Sequence, residues 1–140
     1  MIFDIPSIDD ISDCAANLLK QCQESRIFVL NGNLGAGKTT LIQALCGHLG
    51  YQGEVTSPTF SLINTYRGTD AEIYHMDLYR LKNTAEAIDI GIEEYLASGQ
   101  YCFIEWPDII IDLIDESFYT IQIDIESDQS RKIVCQQIIV

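Results

Sequence analysis

The run Gly32-Asn33-Leu34-Gly35-Ala36-Gly37-Lys38-Thr39-Thr40 carries the spacing Gly-x-x-x-x-Gly-Lys-Thr, the pattern of a phosphate-binding loop. Its glycines allow consecutive backbone N–H groups to curl around an anion. A helix opening at Lys38 would turn its positive end toward the same charge. Lys38 would reach the β- and γ-phosphates of a nucleotide, and the Thr39 hydroxyl would ligate Mg²⁺. The residues from Asn33 to Thr40 are therefore the expected nucleotide-binding set. Lys38 is expected to be solvated when no nucleotide is bound.

Such a loop needs a second acid on the magnesium side, at the end of a strand beside its own. Glu105 follows Cys102-Phe103-Ile104, an apolar run suited to a central strand buried on both faces. Asp77 follows a more mixed strand with Tyr74 and His75. Glu105 thus ranks first as metal-side acid, and Asp77 second, orienting the attacking water or supporting the site. Either could instead be a strand-end carboxylate capping a loop. Trp106, the single Trp, directly follows Glu105 and serves either the core or the site. His75 shares a strand face with Asp77 and reads as a satisfied structural histidine. Thr56, Ser57 and Thr59 offer hydroxyls where related enzymes keep a loop that senses the γ-phosphate, although such residues are also ordinary turn chemistry.

These groups require elements to hold them. Arg26 to Leu30 reads as a short buried strand, and Leu41, Ile42, Leu45 and Leu49 recur at helical spacing up to Gly50. Ser7 suits an N-cap, with Ile8, Ile11, Ala15, Leu18, Leu19 and Cys22 marking an amphipathic helix behind it. Pro58 excludes a helix in Val55–Tyr66, and a strand is expected from about Phe60. Gly68-Thr69-Asp70 makes a turn into the strand Glu72–Tyr79. A helical segment from Thr84 to Leu96 is interrupted near Gly91, and Tyr101–Trp106 forms another strand. The chain ends in a β-hairpin turning at Ser127–Ser130, whose first arm, Phe118–Glu126, alternates as a half-exposed strand does. The expectation is one α/β domain over residues 1–140, three-layered, with a mixed, partly parallel central sheet.

Lys and Arg total 8 against 21 Asp and Glu, a formal net charge of −13. Such a surface repels nucleic-acid phosphates and anionic membranes, so direct DNA, tRNA or membrane binding is not expected. A basic protein partner suits it better. Cys14, Cys22, Cys46, Cys102 and Cys135 are scattered without ligand spacing and read as small buried hydrophobes in a reducing compartment. The acidic, interrupted N-terminus does not read as a signal peptide, and no apolar run reaches membrane length. A cytoplasmic location is expected.

The P-loop, Thr-Ser-Pro-Thr-Phe (56–60), His-Met-Asp-Leu-Tyr-Arg-Leu (75–81) and Ile-Glu-Trp-Pro (104–107) occur in the order and spacing of the TsaE (YjeE) family, which this chain resembles over nearly its whole length. The resemblance implies a P-loop ATPase using ATP and Mg²⁺. It further implies support of threonylcarbamoyl transfer to tRNA adenosine by the TsaD–TsaB complex, with tRNA reached only through those partners. It implies roles for Lys38, Thr39 and Glu105 at ATP and metal, for Asp77 and Trp106 in activity, and for Arg131 in holding the nucleotide. Ser7 and Asp108 fall near positions that border the nucleotide in the family. Asn33 stands where the family commonly has Asp, and Met76 where Phe is usual. A small P-loop kinase would need a lid and more than the four arginines present. A nucleotide-dependent adaptor without useful hydrolysis is the alternative from another class.

Overall fold

A computed structural model of the chain describes residues 1–33 and 35–140. The strand leading into the P-loop, Ile27–Asn31 (β2), is buried from Ile27 to Leu30. Full burial demands neighbours on both edges and both faces. On one edge it pairs in parallel with Tyr101–Glu105 (β5), and on the other with Phe118–Ile125 (β6). Beyond β5 lies the parallel strand Glu72–Asp77 (β4), then Ile63–Arg67 (β3), antiparallel to β4. Beyond β6 lie the antiparallel strands Arg131–Ile138 (β7) and Ile2–Ile5 (β1). The described residues thus form a seven-stranded mixed sheet ordered β1-β7-β6-β2-β5-β4-β3.

Helices cover both faces. Ile11–Gln21 (α1) and Lys38–His48 (α2) bury Cys14, Leu18, Leu41, Ile42 and Leu45 against Phe28, Leu30, Phe103 and Ile121. Thr84–Asp89 (α3) and Ile92–Leu96 (α4) put Ala87, Ile92 and Leu96 against Ile27, Val29, Met76 and Ile104. The expected break falls at Gly91, which caps α4. Alternation along β2, β4 and β5 assigns each side chain to one core or the other.

Two local expectations are corrected. Phe60 does not begin a strand: the Leu62 N–H turns back to the Pro58 carbonyl at 2.8 Å, and β3 starts at Ile63. Leu62 closes this turn with a positive φ of 68°, which lets a new strand start there. The second is β1, which sequence reading did not assign. Four residues are too few for alternation to register, and the strand exists by pairing with β7 at the far end of the chain.

The five cysteines are free and buried, as expected. Burial pushes the Cys14 thiol up to about 11 and those of Cys46, Cys102 and Cys135 to about 12. Among the described residues, no helix is long and apolar enough to cross a membrane.

Candidate functional site

Three parallel strands deliver the site at their C-terminal ends. β2 runs into the P-loop, β5 ends at Glu105 opposite Leu30, and β4 ends at Asp77 opposite Glu105. Phe103 belongs to the core beneath α1 and α2, so Glu105, two residues on, leaves its strand on that same face. His75 and Asp77 do likewise on β4. The two carboxylates therefore meet the start of α2 in one cleft of about 510 Å³.

The loop is shaped by close approach. A Cβ on Gly32 would stand 2.7 Å from the Ile123 carbonyl oxygen, so only glycine lets β2 leave the sheet beside β6. Gly37 opens α2 with a φ of 108°, in the left-handed region. The Ala36 N–H donates to the Asn33 carbonyl at 3.0 Å, and Arg131 Nε donates to the Ala36 carbonyl at 3.0 Å. Arg131 also donates to the Gln129 carbonyl at 2.8 Å, so the terminal hairpin is stapled to the loop.

Lys38 departs from expectation. It is only 5% exposed: its Nζ donates to the Gly32 carbonyl at 2.7 Å and stands 3.7 Å from the centre of the Trp106 ring. The ammonium thus rests between a backbone carbonyl and a π face. Burial lowers its pKa, while the Glu105 and Asp77 carboxylates pull the other way. Trp106 is placed for this contact by a positive φ of 55°, and its ring lies 4.9 Å from that of Tyr79. A bulky residue in that region costs about 1–3 kcal/mol and persists only where its surroundings enforce it.

Each acid is held. Asp77 accepts from the Ser57 hydroxyl at 2.9 Å and the Tyr79 N–H at 3.1 Å. Thr59 joins through Ser57, the two hydroxyl oxygens lying 3.1 Å apart. Glu105 Oε2 lies 2.7 Å from His75 Nε2, both groups buried. The donor set fits magnesium. It is all oxygen, from the Thr39 hydroxyl and the two carboxylates. Magnesium is bound in this manner, by one or two carboxylates plus substrate phosphates.

Of the residues singled out from sequence, Gly35, Gly37, Lys38, Thr39, Thr40, Thr59, Asp77, Glu105 and Trp106 line the one cleft. Asn33, Ala36 and Arg131 brace the loop from behind, and Leu34 lies outside the described residues. Ser7 and Asp108 do not line the cleft. The Ser7 side chain accepts from the Asp9 N–H and its own N–H donates to Asp10, a capping box at the start of a 3₁₀ turn. Asp108 is exposed in the turn after Pro107. Tyr79 also lines the cleft: the strand expected over Glu72–Tyr79 ends at Asp77, which releases Tyr79 to the rim.

The profile of the threonylcarbamoyl adenosine biosynthesis protein TsaE matches residues 5–133, spanning the P-loop, both acids and the chain as far as the start of β7. The chain belongs to the TsaE family. The tRNA threonylcarbamoyladenosine biosynthesis protein TsaE of Haemophilus influenzae is 41% identical over 112 residues, covering 79% of this chain and 71% of that protein. Its counterpart in Treponema pallidum is 39% identical over 111 residues, covering 79% and 82%. The crystal structure of Bacillus subtilis YdiB superposes with a TM-score of 0.77 at 24% identity, over 100% of this chain and 86% of that one. That likeness confirms the α/β fold. TsaE membership connects the chain with tRNA threonylcarbamoyladenosine biosynthesis.

Proposed function

We propose that this TsaE-family chain binds ATP with Mg²⁺ in the cleft, hydrolyses it slowly, and thereby supports threonylcarbamoyl transfer to tRNA adenosine by TsaD and TsaB. The observation that carries the reading is the convergence of Lys38, Thr39, Asp77 and Glu105 on one cleft at the strand ends. The P-loop N–H groups hold the phosphates, and Lys38 moves from Trp106 to the β- and γ-phosphates. Thr39 and Glu105 would hold the Mg²⁺, which would supply neutralisation of charge on the phosphates. Asp77, already fixed by Ser57 and Tyr79, orients the attacking water.

Hydrolysis by the chain alone is slow because no arginine stands ready as a finger, a group worth about 10³–10⁵ in rate. Arg131 is engaged with the loop carbonyls, and Arg80, at the rim, stacks on Phe60. The net charge of −13 suits a basic protein face and makes direct contact with tRNA unfavourable.

The test is reconstituted tRNA modification with this protein omitted, wild type, Lys38→Ala or Glu105→Ala, with phosphate release followed in parallel. Repeated turnover is expected only with wild type. Glu105→Ala should lose hydrolysis far more than nucleotide affinity. Equal modification in all four reactions would remove the role, and modification without phosphate release would favour the adaptor.

A further inference from the structure

His75 has no task in the chemistry above, yet it occupies the most constrained position near it. It is fully buried on β4, with Nε2 at 2.7 Å from Glu105 Oε2 and Nδ1 at 3.3 Å from the Tyr66 hydroxyl. Nε2–H donates to the Glu105 carboxylate, which leaves Nδ1 facing the Tyr66 hydroxyl. Tyr66 is itself fixed, accepting from Asn64 Nδ2 at 3.2 Å and stacking on Tyr51 at 4.7 Å. Burial pushes its phenol up, so it stays a donor. The same hydroxyl lies 3.2 Å from the carbonyl of Thr56, in the loop whose Ser57 holds Asp77.

We infer that His75 is a positioning residue for Glu105: it pins Oε2 and leaves Oε1 as the oxygen offered to the nucleotide-bound magnesium. Among the described residues, Oε1 has no hydrogen-bond donor. Tyr66 backs His75 and so Glu105, while Ser57 of the neighbouring loop holds Asp77. The inference rests on Glu105 being the magnesium-side acid. Partners that orient a metal's ligands are commonly worth 10–100-fold in metal affinity.

The experiment measures ATP affinity by calorimetry in EDTA and across a Mg²⁺ titration, for wild type, His75→Leu, His75→Gln and Tyr66→Phe. A histidine that only fills the core would change the melting temperature and both affinities together. A positioning histidine leaves the EDTA affinity in place, because the loop backbone holds the phosphates, and moves the Mg²⁺ midpoint. For His75→Leu the midpoint should rise about 10–100-fold. Glutamine keeps an N–H near the Nε2 position and should largely restore it, while Tyr66→Phe should raise it a few-fold. If His75→Leu does not fold, Tyr66→Phe and His75→Gln decide. An unchanged midpoint in Tyr66→Phe, or in a folded His75→Leu, overturns the inference. A wild-type affinity indifferent to Mg²⁺ overturns the role of Glu105 instead, and with it the proposed function.

Discussion

Lys38 is a cation held over an aromatic ring. Its ammonium is desolvated over Trp106, and burial outweighs the two carboxylates in setting its pKa low. The folded chain therefore releases this proton more readily than the unfolded chain. Stability contributed here rises with pH through the window between the lowered value and the ordinary 10.5. Below that window the charged amine costs stability. Lys38→Met should consequently leave the ligand-free melting temperature equal or higher while losing ATP affinity, and its alkaline stability gain should vanish relative to wild type. A marked drop in melting temperature would mean that the contact with Trp106 dominates. Trp106 reports the same event optically. ATP should change its emission as the ammonium leaves the ring, and Lys38→Met should abolish that change. Because Trp106 is the only tryptophan, the signal has one origin.

At the scale of elements, the loop is held by pieces distant in sequence. β7 supplies Arg131, which reaches the Ala36 carbonyl and ties the hairpin to the P-loop. A charge-assisted hydrogen bond of this kind contributes about 1.5–3 kcal/mol when well shielded, less when partly exposed as here. Arg131→Gln should lower ATP affinity by about tenfold, or 1.4 kcal/mol, with little change in melting temperature. Calorimetry of the variant checks this, and an unchanged affinity would reduce Arg131 to a hairpin residue. The strained backbone at Trp106 and the turn at Leu62 lie at the other ends of the cleft-forming segments. At Trp106 the chain leaves β5 abruptly, and at Leu62 it turns abruptly into β3.

Across the whole molecule, a sheet with helices on both faces buries its apolar strands, with Asp77 and Glu105 the buried acids at the strand ends. A net charge of −13 on 140 residues repels itself at neutral pH. Raising ionic strength from about 0.01 M to about 0.15 M shortens the screening length from roughly 30 Å to 8 Å. The melting temperature of the isolated chain should therefore rise with salt, while association with a basic partner should weaken. Differential scanning fluorimetry and a binding titration over one salt series test both. If salt moves the two in the same direction, the charge does not act as a docking field.

The sequence alone determined whatever is written in local spacing. The P-loop, the apolar strands β2 and β5, the break at Gly91 and the terminal hairpin are all legible because glycine placement, periodicity and burial are properties of short windows. The acids at strand ends were legible for the same reason, and Glu105 indeed ends the strand adjacent to the P-loop strand. Whatever depends on meeting a distant segment was decided only by tertiary structure. β1 exists through β7, Lys38 is buried because Trp106 turns over it, and Glu105 is aimed by a histidine thirty residues earlier. His75 was visible as a companion of Asp77 on one face of a strand. That it addresses Glu105 follows from the β4–β5 register, which depends on how two strands align in space and is not encoded within either one.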